Sequence, residues 1–381
     1  MGGKPNSINR NIQPNARKKI LKQCRMFITC SLISALFVSL TRLQSNSLTK
    51  VVTSRALETE TKNATSKKTI WPVPMEGFRN VWDPPHDTDI PVFWHIAKSG
   101  GSSFKDIFGR CHRLTMASEV GTGEGHHKDT DLGAYIIGDN PFNKFVNVDT
   151  TKIKGLERAK KMGLAKSGLA DVIVTRHIFE VDSLFDKDHR GQLISVFRDP
   201  IDRAISLFSY LQYADWELTY STKLANMTLE EFGNSSYIED NWLLRFLSNS
   251  YDQELTEADM IVAKRLLREK FLIGLLNERE ETMDRFEKFF GWKYKIDPKT
   301  QEACRENFMS SGSNTNKNSI VKPKPGSKAY EAIAARNRWD MQLYEYIESL
   351  FWDQEKLFRG VPDNFRLEGA TCCSCKDPPI C

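Results

Sequence analysis

The chain is 381 residues long, 40% hydrophobic and 27% charged. That is ordinary for a globular protein, and it is long enough to bury a large core as one big domain or two small ones. The net charge of +5 is unevenly placed. Eight of the 54 Lys and Arg residues, and no acid, lie in the first 42 positions, which leaves 46 basic side chains facing 49 acidic ones. The body is slightly acidic, so the overall sign does not point to a nucleic-acid partner.

The basic segment 1–25 precedes Met26 to Leu40, "MFITCSLISALFVSL", fifteen residues without a charge. A membrane span ordinarily takes ~20 apolar residues, with ~17 tolerated. The favoured reading is a signal anchor over 26–42, with 1–25 as a cytoplasmic tail and the C-terminal body in a lumen. A cleaved signal peptide and a buried helix are the alternatives. Residues 43–88, rich in Thr, Ser, Lys and Pro, read as a stem. Three N-x-[ST] sequons, at Asn63, Asn226 and Asn234, suit a lumenal, glycosylated body. Of eight cysteines, six follow the anchor: Cys111, Cys304, Cys372, Cys373, Cys375 and Cys381. An even number favours disulfides over a zinc site, and their pairing is not legible.

From Ile90 the texture changes. "IPVFWHIA" (90–97), "ADVIVTRHI" (170–178), "QLISVFR" (192–198) and "KFLIGLL" (270–276) are short, continuous apolar runs of the kind buried in a parallel sheet. Helical patterns cover 102–110, 200–213, 237–248, 257–269, 278–290 and 328–351. The alternation predicts an α/β fold, a three-layer, doubly wound parallel sheet. Segment 112–168 is poorly patterned and is expected as an excursion over the acceptor face, and 305–327 as a polar loop.

Two stretches carry chemistry. In "AKSGGSSF" (97–104) a strand end runs into glycines and a helix, a geometry that lets backbone N–H groups meet an anion. Lys98 precedes the glycines, so this is not the loop of a nucleotide hydrolase, in which the lysine follows them. In "VFRDPIDRAISLF" (196–208), Arg198 ends a strand, Asp199 and Pro200 open a helix, and Ser206 lies two turns in. An Arg fork with a hydroxyl suits a terminal phosphate. Arg203 either assists or is a surface cation.

Together these stretches resemble the phosphosulfate loop and 3′-phosphate motif of sulfotransferases that use 3′-phosphoadenosine 5′-phosphosulfate (PAPS), and most of all the membrane-anchored Golgi carbohydrate enzymes, including uronyl and heparan 2-O-sulfotransferases. The loop pattern P-K-[TS]-G-[GS]-[TS]-[ST] matches except that Ala97 replaces proline. The second pattern, R-[DN]-P-x-x-R-x-x-S-x-[FY], matches at Arg198, Asp199, Pro200, Arg203, Ser206 and Phe208. "DNWLLRFLS" (240–248), "FLIGLLNERE" (271–280) and "ARNRWDMQLYEY" (335–346) resemble later family segments, the first with an Asn and Arg near cofactor or acceptor.

The resemblance implies a P-loop-like sulfotransferase domain over 89–360, followed by a Cys-rich tail (361–381). It implies a Golgi, single-pass type II enzyme that transfers a sulfuryl group from PAPS to a hydroxyl of a glycan or glycoprotein, without a metal. By the same resemblance Lys98, Ser99, Gly100, Gly101, Ser102, Ser103 and Phe104 hold the 5′-phosphosulfate and Arg198 and Ser206 the 3′-phosphate. Lys98 stabilises the leaving phosphate. His177 in "VIVTRHIFE" is the candidate general base; a structural histidine capping the strand is the alternative. Glu180 orients it or is a surface acid, and His95 reads as a core histidine. His126 and His127 read as loop residues over a metal pair or second base. Loop 311–327 closes on the 3′-phosphate through Ser313 or a nearby Lys, with Lys322-Pro-Lys-Pro as a plain linker the alternative. A tyrosylprotein sulfotransferase and a glycan-binding protein without turnover are the rival readings.

Overall fold

The computed structural model describes residues 75–359, apart from 139, 141, 218, 293–296 and 312–319. The basic tail, the anchor, most of the stem, Ser313 and the Cys-rich tail lie outside the described residues.

Seven strands form one sheet: β1 (Ile90–Trp94), β2 (Met116–Ala117), β3 (Ala134–Ile136), β4 (Lys144–Val146), β5 (Val172–Thr175), β6 (Gly191–Phe197) and β7 (Phe271–Leu275). Their order is β3-β4-β2-β5-β1-β6-β7. All neighbours run parallel except β3 and β4 at one edge. The four apolar runs expected as strands are β1, β5, β6 and β7. Each is buried along its whole length, because helices cover both faces. Val92 and Trp94 enter one core with the helices Trp242–Ser248, Glu257–Lys270 and Arg338–Asp353, while Phe93 enters the opposite core with Phe104, Phe108 and Phe286. This alternation is what a pleated strand with two apolar faces produces.

The three-layer expectation therefore holds, and the differences are local. Segment 112–168 is no plain excursion: it contributes β2, β3 and β4 to the sheet. These strands have two or three residues each, too short to print an alternating pattern. Residues 305–311, expected in a loop, finish the helix Pro298–Ser311. The predicted helix 328–351 is two, Lys328–Arg336 and Arg338–Asp353, divided at Asn337. The end of the expected stem is part of the body. Met75, Phe78 and Val81 are buried, and Phe78 bridges to Gly191 beside β6.

Cys111 and Cys304 form a disulfide across 193 residues of sequence. Next to it, the buried His112 faces Gln301 through Nδ1 and lies 3.1 Å from Glu287 Oε1 through Nε2. Closing so long a loop restricts the unfolded chain, an effect of about 3–5 kcal/mol. Replacing both cysteines by serine is expected to lower the melting temperature by roughly 5–10 °C. Scanning fluorimetry of the double variant against the native protein checks this, and an unchanged midpoint would refute it.

Candidate active site

The chain leaves β1 toward β2 on one side and returns over β1 from β5 to β6 on the other. The carboxyl ends of β1 and β6 thus bound the crevice in which a doubly wound sheet takes ligands. The loop after β1 and Arg198 after β6 meet there.

The loop is tightly determined. Lys98 has φ +65° and Gly100 φ +79°, a conformation that costs a non-glycine residue roughly 1 kcal/mol or more. Two arginines pin its backbone: Arg198 Nη1 donates to the Lys98 carbonyl at 3.0 Å and Arg203 Nε to the Ala97 carbonyl at 3.2 Å. Both glycines are closely approached by side chains, and the positive φ at Gly100 strains any other residue. A Cβ on Gly100 would sit 2.5 Å from Leu276 Cδ1, and one on Gly101 would sit 2.6 Å from His95 Nε2. His95 lies beneath the turn as a core histidine. Burial first, then Lys105 and Arg176, lower its pKa to about 4, so it is neutral at physiological pH. The Ser99 hydroxyl is buried without a hydrogen-bond partner among the described residues. An orphaned buried donor costs on the order of 1–3 kcal/mol unless something fills the cradle.

Within the following helix, Gly101–Asp106, the Ser103 N–H already bonds the Gly100 carbonyl at 3.0 Å. The Phe104 ring turns into the core between Phe93 and Phe286, so only its backbone is left for a ligand. Ser102 and Ser103 are half-buried at the helix start. The Lys98 ammonium sits 4.4 Å from the centroid of the Tyr210 ring. Burial, then the charge of Arg198, lowers its pKa to about 8, although Glu217 pulls the other way.

The helix Pro200–Leu211 starts as its sequence predicts. Asp199 accepts from the Asp202 N–H at 2.8 Å, with proline at the first position. Ser206 is on its buried face. Arg203 is no surface cation. It is buried, ion-paired to Glu239 at 2.7 Å and stacked over Trp242, and its work is to hold the loop. Beside Arg198 lies a cavity of about 490 Å³, bordered by Asp199, Leu276, Asn277, Lys322, Tyr344 and Glu348 among others. Lys322 is no plain linker residue. It reaches Asp202 at 2.9 Å and Asp199 at 3.5 Å, and although burial opposes its charge these carboxylates hold its pKa above the usual value. Burial raises the Tyr344 hydroxyl's pKa, and this phenol lies 3.5 Å from Asn277 Oδ1.

His177 follows β5, the neighbour of β1, and occupies the N-cap position of the helix Ile178–Val181. Its ring is half-exposed and Nδ1 is 3.8 Å from Glu180, close enough for charge attraction but too far for a hydrogen bond. It emerges at the same sheet edge as Lys98. The two later family-like segments turn out to brace each other. Asn241 Oδ1 accepts from the Trp339 N–H at 2.7 Å, while the buried Asp340 carboxylate accepts from the Leu243 and Leu244 N–H groups. Arg245 pairs with Asp240 and the carbonyls of Ser250 and Gln253. Asn241 and Arg245 thus hold backbone segments together. His126 stacks on Tyr135 and bonds Asp129, and His127 is exposed.

No protein family model matches the chain, and no curated protein does. Among solved structures it is similar to mouse sulfotransferase SULT7A1 complexed with PAP, at 14% identity and a TM-score of 0.34, over 75% of this chain and 88% of that one. At that overlap the likeness assigns neither a family nor a function. Among the described residues no helix is long and apolar enough to cross a membrane.

Proposed function

We propose that the protein is a PAPS-dependent sulfotransferase acting on a glycan hydroxyl in the secretory pathway, anchored in the Golgi membrane by residues 26–42. The observation that carries this reading is the two-point anion site. A lysine-bearing glycine cradle after β1 is tied directly to an arginine after β6 by the 3.0 Å bond from Arg198 to the Lys98 carbonyl. One point suits a 5′-phosphosulfate and the other, with Ser206, a 3′-phosphate. The orphaned Ser99 hydroxyl and the side-chain-free glycines fit a phosphate-bearing group. The Cys111–Cys304 bond supports an oxidising compartment.

In this reading, His177 takes the proton of the acceptor hydroxyl as its oxygen forms the bond to sulfur. The bond between sulfur and the bridging oxygen breaks, and Lys98 meets the charge that develops on the departing phosphate. Arg198 and Ser206 fix the nucleotide end so that the three reacting atoms stay in line.

Two measurements test it. Adenosine 3′,5′-bisphosphate without added metal is expected to raise the melting temperature by several degrees; stabilisation by ATP with Mg²⁺ alone would sink the reading. Transfer of labelled sulfate from PAPS to a panel of glycans is expected to fall about 10²–10⁴-fold in His177→Ala. Full turnover in that variant removes His177 as base, transfer to tyrosine peptides alone reassigns the acceptor, and stabilisation without any transfer leaves a binding protein.

A further inference from the structure

Resting on the sulfotransferase reading, we infer that Tyr210 is the positioning residue for Lys98, holding its ammonium by the face of its ring, and that Trp216 and Glu217 lock the ring in place. Lysine is a poor choice for a precisely aimed charge. Its four-carbon stem has many rotamers, and a strongly hydrated ammonium gives up directionality readily. This chain fixes both ends. The backbone end is held at φ +65° by the bond from Arg198 to its carbonyl. The ammonium end lies 4.4 Å from the Tyr210 centroid, within the distance at which the ring's negative face attracts a cation.

The ring is itself constrained on both sides of its hydroxyl. Tyr210 donates to Glu217 Oε1 at 2.6 Å and accepts from Trp216 Nε1 at 3.0 Å. The Tyr210, Tyr213 and Trp216 rings also meet edge to face, at centroid distances of 5.8–6.3 Å. Both hydrogen-bonding roles of the phenol are therefore used, which leaves the ring face as its contact with Lys98.

Tyr210 lies four residues after Ser206 on the helix that Asp199 caps, so it stands one turn beyond the hydroxyl assigned to the 3′-phosphate. The same helix thus carries a group for the nucleotide end and the support for the lysine at the sulfuryl end. Glu217 adds a second function. Its carboxylate attracts the lysine charge through space, against the burial and the Arg198 charge that oppose it.

The test combines turnover with a spectroscopic readout that needs no turnover. In the full-length protein with ¹³Cε-labelled lysine, the Lys98 methylene protons are expected at an upfield, ring-shifted position, assigned by their loss in Lys98→Ala. The shift is expected to persist in Tyr210→Phe and to vanish in Tyr210→Leu. Turnover with saturating PAPS is expected to fall about tenfold in Tyr210→Leu, with the KM for PAPS little changed, and to recover to within about threefold in Tyr210→Phe. A ring-shifted signal that survives in Tyr210→Leu overturns the inference. So does a Tyr210→Phe loss equal to that of Tyr210→Leu, which would make the hydroxyl the working group. If adenosine 3′,5′-bisphosphate fails to stabilise the native protein, the sulfotransferase reading falls, while the ring-shift comparison still decides whether Tyr210 holds Lys98.

Discussion

Lys98→Ala is expected to lower sulfuryl transfer about a hundred- to thousandfold, the loss seen when one preorganised donor to a developing oxyanion is removed. Stabilisation by adenosine 3′,5′-bisphosphate is expected to remain largely in place, because Arg198, Ser206 and the backbone cradle persist. In the proposed role the charge that Lys98 meets exists chiefly in the transition state, so kcat is expected to carry the defect more than KM does. The native protein provides a second check through pH. Burial and the Arg198 charge bring the Lys98 pKa down to about 8. In the proposed role the protonated form is the working one, so on the alkaline limb activity is lost as pH rises through that value. The profile of kcat/KM, which reports the free enzyme, is expected to fall with a midpoint near 8. The kcat profile is expected to fall at higher pH, because bound anionic donor favours the ammonium. Rates of labelled transfer between pH 6.5 and 9.5 decide the matter. A kcat/KM profile flat to 9.5 would remove Lys98 from the role.

Much of this centre was legible because it sits on strong local signals. β1, β5, β6 and β7 are continuous apolar runs, the turn at Gly100 takes a positive φ that few other residues tolerate, and Asp199 is a preferred N-cap residue. Lys98, Arg198 and Ser206 stand out in the sequence through two motifs whose resemblance to sulfotransferase phosphate sites singles them out as candidates. What stayed hidden depends on long-range contact. β2, β3 and β4 are too short for a periodic signal, and β3 is largely exposed. Arg203 reads as a helix-surface cation until Glu239 and Trp242 close on it. The "DNWLLRFLS" and "ARNRWDMQLYEY" stretches are singled out only by their resemblance to family segments. They are interlocking caps about a hundred residues apart in sequence. Tyr210 gives only its spacing of one turn from Ser206, and its partner at Lys98 is 112 positions away, a pairing no local pattern encodes.

Arg198→Ala is expected to weaken adenosine 3′,5′-bisphosphate binding at least about a hundredfold, with Arg198→Lys failing to restore it. The guanidinium does two things at once. One Nη1 donor is committed to the Lys98 carbonyl, and the group also borders the cavity of about 490 Å³ beside it. A lysine supplies the charge but a single nitrogen, and cannot serve the carbonyl and a phosphate in the same fork geometry. Losing the carbonyl bond also removes one of the two arginine ties on the loop backbone, so turnover is expected to fall together with affinity, unlike the Lys98→Ala case. Arg203→Ala separates the two roles. It holds the adjoining Ala97 carbonyl but is buried against Glu239 and Trp242, so its removal leaves the half-buried Glu239 carboxylate without its partner and is expected to lower the melting temperature more than Arg198→Ala does. Calorimetric titration and thermal melts of the three variants give the ordering. Should Arg198→Lys bind as tightly as the native protein, the arginine is only a counter-charge, and the two-point anion site loses the link that joins its halves.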